Sequence, residues 1–416
     1  MPPKIKYGSF GGVKLGMWRQ LFLNNEKDFR GELSELKITN PDSIPFMVFK
    51  DTLVLKAVKI SENQLKSIKE FSEALQIFLI NSPFNEENLC NLILSISPNQ
   101  LNKLITLFHN SDSDEVKNIG NELIQLSSNL NKTTWLFQLH DRELLIETPL
   151  IMGILNVTPD SFSDGGKYFS EEQAYTHAIT MLEKGADIID IGGESTRPGS
   201  SRVNIDEEWT RISGVIERLS KIKECVISVD SYKSQIARRA LEHGAHIIND
   251  ISGLIFDPEM VNIVSEYQAP LVLMHIQGTP NNMQKNPQYE NLIEEIYQFL
   301  DQQSKFALNN GVNQIIIDPG LGFGKRPEDN FEIIRRLTEF KSMGYPILLG
   351  SSRKSFIGYG LGDMQIDRLS GTYAVAIIGM ENGANILRIH DVGEVSNALK
   401  IATGIRNLKA TINKNN

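Results

Sequence analysis

Gly185-Ala186-Asp187-Ile188-Ile189-Asp190-Ile191-Gly192-Gly193 lies in the middle of a chain of 416 residues. A glycine closes a helix, one small apolar and one polar residue follow, and an apolar, β-rich run begins. The same order recurs at Gly244-Ala245-His246 before Ile247-Ile248, at Gly311-Val312-Asn313 before 315–317, and at Gly383-Ala384-Asn385 before 386–389. Glycine just past a helix tolerates the left-handed backbone needed there. Short apolar strands alternating with helices indicate a parallel sheet covered on its outer face. Working outward, eight strands are predicted at about 151–156, 187–192, 226–230, 246–250, 271–275, 314–318, 346–351 and 385–390. Eight βα units in roughly 260 residues match a closed barrel. An open doubly wound sheet is the alternative, weakened because no G-x-G-x-x-G follows the first strand.

The fold class expected is α/β: a (β/α)8 TIM barrel over 150–410, preceded by a small N-terminal α/β domain over 1–126, with a tail at 411–416. In the first part, Ser61 and Gln64 form a capping-box pattern ahead of Leu65, Ile68, Phe71, Leu75 and Phe78 at helical spacing. Ser97, Pro98 and Gln100 open a second helix with Leu101, Leu104, Ile105 and Phe108 on its apolar face. The run 46–60 reads as extended. No catalytic constellation is visible in this part. The polar run 127–134 reads as a linker. Residues 135–149 read as a hairpin around His140-Asp141-Arg142-Glu143, placed to cover the lower end of the barrel.

Composition narrows the function. A net charge of −9 argues against a nucleic-acid partner. No apolar run approaches the roughly 20 residues that span a bilayer, so no membrane partner is expected. Two cysteines, Cys90 and Cys225, supply neither a disulfide framework nor a zinc spacing, which fits a reducing compartment. Lys4, Lys6, Lys14 and Arg19 precede the first acid, Glu26, as in a transit peptide, but the segment is glycine-rich and serine-poor. A cytoplasmic chain is the expectation.

The apolar strands end in polar residues: Asn156, Asp190, Asp230, Asn249 with Asp250, His275, Asp318, Ser351 with Ser352, and Arg388 with His390. Strand C-termini of a barrel converge on the face that carries the active site. Helix capping explains any single one of these, but not nearly all eight. Two glycine-rich loops follow the first two strands. Phe162 stands in one and Arg197 in the other, an aromatic and a guanidinium where a plain surface turn requires neither. A third run, Gly350-Ser351-Ser352-Arg353-Lys354-Ser355-Phe356-Ile357-Gly358, puts Lys354 at the top of strand seven, where it can serve a phosphate or a heterocycle.

These motifs together resemble the dihydropteroate synthase family. The stretch 152–166, the 194–199 segment, Ser228-Val229-Asp230, Asn249-Asp250, Asp318-Pro319-Gly320-Leu321-Gly322-Phe323-Gly324-Lys325, 352–358 and Arg388-Ile389-His390-Asp391 occur in the family's order and spacing. The resemblance implies condensation of (7,8-dihydropterin-6-yl)methyl diphosphate with 4-aminobenzoate. It implies a pterin diphosphate site of Thr196, Asp230, Asn249, Met274, Asp318, Phe323, Lys354, Arg388 and His390. It implies a 4-aminobenzoate surround of Phe162, Arg197, Pro198 and Ser355, and Asn156 as a Mg²⁺ contact. Asp230, Arg388, His390 and Lys354 are the residues expected to act on the reaction, and a homodimer is expected.

The chemistry agrees with these assignments. A carboxylate such as Asp318 accepts a bidentate pair from the donor edge of a pterin. Asn249 offers both a donor and an acceptor, and Arg388 can stack on a ring while holding phosphate. Met274 reads equally well as core. A corrinoid methyltransferase of the pterin-binding type is the nearest rival, but it needs neither the Thr196-Arg197-Pro198 loop nor Arg388 with His390. A non-catalytic paralogue is a second rival, disfavoured by the intact loops. Residues 1–126 lack the signatures of the preceding pyrophosphokinase, and their role stays open.

Overall fold

The computed structural model describes residues 17–23, 26–38, 44, 52–158, 171–195 and 202–406. The chain divides into two compact units, Met1–Asn131 and Lys132–Asn416.

Among its described residues, the first unit has a four-stranded antiparallel sheet of β1 (Met17–Leu21), β2 (Leu53–Ser61), β3 (Phe78–Asn81) and β4 (Leu89–Ile96), in the order β1-β2-β4-β3. Helices α2 (Glu62–Ala74), α3 (Pro98–His109) and α4 (Asp114–Asn131) bury one face of it around Leu55, Ile60, Ile68, Leu92, Leu104 and Leu123. Helix α1 (Glu26–Glu35) covers the other with Phe29 and Leu33. Both expected capping boxes form, with Ser61 Oγ accepting from Gln64 N and Ser97 Oγ from Gln100 N, each at 3.3 Å. Lys56 is buried on the α1 face and donates to Glu32 at 3.0 Å and Glu35 at 3.1 Å. The expected linker needs correction: 127–131 belongs to α4. That helix continues through its polar end because Val116, Ile119, Leu123 and Leu126 hold one face in the core. Of the run expected to be extended, only 53–60 lies in a described strand.

The second unit opens with the hairpin β5 (Trp135–Gln138) and β6 (Glu143–Ile146). Eight parallel strands follow: β7 (Leu150–Asn156), β8 (Ile188–Gly192), β9 (Val226–Asp230), β10 (Ile247–Asp250), β11 (Leu271–Met274), β12 (Ile315–Asp318), β13 (Leu348–Leu349) and β14 (Ile386–Ile389). Around them run α5 (Glu171–Glu183), α6 (Ile205–Leu219), α7 (Ser234–Glu242), α8 (Met260–Tyr267), α9 (Leu292–Asn309), α10 (Pro327–Arg335), α11 (Ser355–Gly360), α12 (Leu369–Glu381) and α13 (Val392–Arg406). The strands pair in the order β12-β11-β10-β9-β8-β7-β14-β13, and a parallel bridge between Ile317 and Ile347 closes the ring. This is a TIM barrel. The seventh strand is shorter than expected. Pro346 has no N–H to give the ladder, and the Ile347 N–H donates to the Asn385 side chain at 2.9 Å rather than to a neighbouring strand's backbone.

The glycines that revealed the repeat do what their positions require. Gly185, Gly244, Gly311 and Gly383 all have φ between +87° and +103°. At the strands' N-terminal end, Trp135, Phe137, Leu139, Leu144 and Ile146 of the hairpin pack on Met152, Ile188, Val226, Val272, Ile316, Leu348 and Ile386. Trp135 Nε1 also donates to Gly344 O at 2.8 Å.

Candidate active site

Strand geometry carries the polar residues to one mouth. Side chains on a strand alternate with period two. The apolar layer above the hairpin includes Met152, Ile188, Val226, Ile247, Val272, Ile316, Leu348 and Ile386. Two residues further along each strand stand Ile154, Asp190, Ser228, Asn249, Met274, Asp318, Gly350 and Arg388. One further layer brings Asn156, Gly192, Asp230 and His390. Inward-facing chains of a barrel stack in such layers, so polarity begins in the second and reaches the mouth in the third.

Arg388 is the centre of this arrangement. Its Nε donates to Asp190 Oδ2 and its Nη2 to Asp230 Oδ2, both at 2.6 Å. Asp190 is fully buried, and it also accepts from Asn249 Nδ2 at 3.1 Å and from Ser228 Oγ at 2.6 Å. Asp230 Oδ1 is buried and has no hydrogen-bond partner among the described residues. Burial pushes the Asp230 carboxyl up, to about 7, while Arg388 pulls it down. A Cβ built on Gly192 would lie 3.7 Å from Asp230 Oδ2 and 3.8 Å from Asn156 Oδ1, so Asn156 and Asp230 flank one small space that a side chain there would fill.

Asp318 and Lys354 form the neighbouring part. Asp318 is buried, and its Oδ1 accepts from Gly320 N at 2.7 Å. Burial raises its pKa, with Lys354 opposing. Lys354 is half-buried, donates to Leu321 O and lies 4.8 Å from the centroid of Phe323. Burial pulls its ammonium down to about 8, with Asp318 opposing. A Cβ on Gly350 would touch both Lys354 Nζ and Arg388 Cβ at 3.8 Å, which places these two cations beside one gap. Behind them, buried Lys325 donates to His275 Nδ1 at 2.9 Å and to Phe323 O at 3.0 Å, fixing the loop that carries Phe323.

His390 lies at the end of β14. Its backbone N–H donates to Ser352 Oγ at 3.1 Å, and Nδ1 is within 3.1 Å of the same hydroxyl. Arg353, with φ +54°, pins the segment by donating to both oxygens of Asp391, at 2.7 and 2.8 Å. Ser355 is exposed as the first residue of α11. Glu194 and Val203 bracket the second loop, and Lys233 ties them together through Glu194 Oε2 at 2.6 Å and Val203 O at 2.6 Å, with Glu208 at 2.5 Å.

The structure therefore brings together Asn156, Asp230, Asn249, Asp318, Phe323, Lys354 and Arg388, with Ser352 joining His390 to the Lys354 segment. Met274 is buried in a cluster with Ile251, Ile276 and Met283, with Phe323 packed against it. Phe162, Thr196, Arg197 and Pro198 lie outside the described residues. Asp190, noted in the sequence only as a polar strand end, is the residue most intimately tied to the others. The signal was available: it stands two places after core residue Ile188 and so points inward.

Asp250 plays a different part. Its oxygens accept from Ser252 N, Ser252 Oγ and Leu254 N at 2.7–2.8 Å, shaping the loop after β10. Among the described residues, His140, Asp141 and His246 could group around a metal ion. They stand at the opposite end of the barrel, on the hairpin turn and the start of β10. Ile227 N–H donates to His246 Nδ1 at 3.0 Å, which leaves the ring proton on Nε2, facing Asp141 at 3.2 Å. That tautomer presents no free nitrogen to a cation.

Comparison with known proteins agrees with this geometry. The pterin binding enzyme family matches residues 152–390. The dihydropteroate synthase of Bacillus subtilis is 45% identical over 263 residues, covering 63% of this chain and 90% of that one. The structure of Yersinia pestis dihydropteroate synthase with a sulfonamide drug complex superimposes with a TM-score of 0.62 at 40% identity, over 65% of this chain and 99% of the other. Xanthomonas albilineans dihydropteroate synthase with 4-aminobenzoic acid does so with a TM-score of 0.62 at 37% identity, over 66% and 99%. With matching motifs, a matching barrel and relatives covered almost end to end, the chain belongs to the pterin-binding enzyme family, among its dihydropteroate synthases.

Proposed function

We propose that the mouth of the barrel joins (7,8-dihydropterin-6-yl)methyl diphosphate to 4-aminobenzoate, giving 7,8-dihydropteroate and diphosphate, with the work divided as follows. Asp318, Asn249 and Lys354 read the pterin edge: the carboxylate accepts from ring N–H groups, the amide orients, and the ammonium donates to a carbonyl or ring nitrogen. Phe323 and Met274 lie against the ring. Arg388 and His390 meet the diphosphate and neutralise the charge that grows on it as it leaves. Asp230 faces the methylene carbon and stabilises the positive charge left there. Ser355, with Phe162, Arg197 and Pro198, holds the arylamine, and Thr196 assists at the diphosphate. The amine is already nucleophilic, so no strong base and no covalent enzyme intermediate are required.

The observation that carries this reading is the buried Oδ1 of Asp230 beside Arg388, without a partner among the described residues. A buried acceptor without a donor is costly, and a ligand N–H or a cationic carbon relieves that cost. Mg²⁺ fits the same place. Asn156 offers a hard amide oxygen close to Asp230, and this ion commonly shares substrate phosphate oxygens while keeping several waters. Bound there, it would add charge neutralisation on the leaving diphosphate. We also propose a homodimer formed through α12 and α13, where Ile378, Ile401 and Ile405 are exposed. Among the described residues no helix is long and apolar enough to cross a membrane.

The test is diphosphate release by the purified chain. Release that requires both the pterin diphosphate and 4-aminobenzoate supports the reading. Release indifferent to 4-aminobenzoate, or none at all, would overturn it.

A further inference from the structure

Two carboxylates share Arg388, and they are not equivalent. Asp190 sits in the second layer with 0% exposure, and its oxygens accept from Ser228, Asn249 and Arg388 Nε. Those partners are held by three separate strands, β9, β10 and β14. Asp230 sits one layer nearer the mouth, and its Oδ1 has no partner among the described residues. An anion arriving from the mouth therefore competes with Asp230 for Nη2 and leaves the Nε bond to Asp190 in place. A guanidinium offers donors in a rigid planar fork, so anchoring Nε fixes the plane in which the η nitrogens are presented.

We propose that Asp190 is a positioning residue for substrate binding: it anchors Arg388 through Nε and Asn249 through Nδ2, so that Nη2 passes from Asp230 to the substrate diphosphate while the guanidinium keeps its place. One buried carboxylate thus sets the relative position of the ring-reading amide and the anion-holding cation. The exchange also frees Asp230 Oδ2 when the diphosphate binds, leaving the whole carboxylate facing the pterin. Asp190 itself touches no substrate. This inference rests on the substrate assignment above.

The experiment uses the full chain and steady-state kinetics of four proteins: wild type, D190N, R388M and the double variant. Asn keeps the volume of Asp190 and loses its charge. D190N is expected to raise KM for the pterin diphosphate by about tenfold or more, the size of losing one charge-assisted hydrogen bond, while KM for 4-aminobenzoate moves by less than about twofold. Because Asp190 works through Arg388, the effects of D190N and R388M on the pterin diphosphate KM should fall short of multiplying by at least about fivefold. A purely structural role would raise both KM values alike or give multiplicative effects, and either result would overturn the inference. Should D190N fail to fold, S228A replaces it, leaving the charge and removing one tether. A smaller rise confined to the pterin KM then supports the inference, and no rise or an equal rise contradicts it. Wild-type chain without synthase turnover would sink the substrate assignment and this inference together. Active wild type with multiplicative effects would sink this inference alone.

Discussion

Arg388 Nη2 lies 2.6 Å from Asp230 Oδ2, while Asp230 Oδ1 is buried without a partner among the described residues. The pair closes the floor of the mouth on one side and leaves an acceptor open on the other. Arg388→Lys tests whether the fork matters or only the charge. A point charge cannot stay anchored on Asp190 while a second donor, fixed in direction, turns from Asp230 to a diphosphate. We expect kcat/KM for the pterin diphosphate to fall by about tenfold or more, with the larger part in KM. Steady-state kinetics with each substrate varied in turn checks this. A Lys variant as efficient as wild type would remove the fork from the account.

Lys354 sets an alkaline limit. Burial pulls its pKa down to about 8, so the positive charge on this donor is present below that pH and lost above it. The pterin diphosphate kcat/KM should therefore decline as pH rises through 8. In Lys354→Met that limb should vanish from a profile that is low throughout. A limb unchanged in the variant would assign it to another group.

The hairpin under the barrel is a stability element remote from the chemistry. Trp135 is 7% exposed and gives its indole N–H to Gly344 O. Trp135→Ala should cost about 3–5 kcal/mol in urea unfolding, from lost burial and the cavity left behind. Turnover at a temperature where the variant is folded should stay near wild type.

His246 gives stability a dependence on pH. Burial and the neighbouring His140 push its pKa down, to about 4, against the pull of Asp141. The folded chain thus refuses a proton that the unfolded chain takes up near the ordinary value of about 6.5. The stability this neutral ring contributes is intact above about 6.5 and is lost as pH falls from there toward 4, by up to about 3 kcal/mol. His246→Phe cannot titrate, so its melting temperature should fall less steeply than wild type between pH 6.5 and 4. Parallel slopes would contradict this.

The fold was legible because the helix-closing glycines repeat and each is followed by an apolar strand. Gly185 and Gly383 have the left-handed backbone that makes a glycine worth placing there. The mouth was legible because polar residues end those strands. Asp190 escaped assignment because it binds other protein groups, and a motif read for substrate contacts passes over such a residue. Counting two from Ile188 would have found it. The end of α4 was misread because 127–131 is polar on its own. Leu130 packs against the same core as Leu123 and Leu126, and this carries the helix through its polar neighbours. Met274 reads as ring contact or core in the sequence, because one apolar side chain suits either, and the structure places it in the cluster of Ile251, Ile276 and Met283.

Asp230→Asn, assayed for turnover and melting temperature together, bears most directly on the convergence of these residues around one reacting carbon. The amide keeps the shape and removes the negative charge that stabilises the carbon. We predict that kcat falls by about a hundredfold or more while the melting temperature moves by only a few degrees, about what 1 kcal/mol produces. Turnover close to wild type in a folded variant would contradict the account.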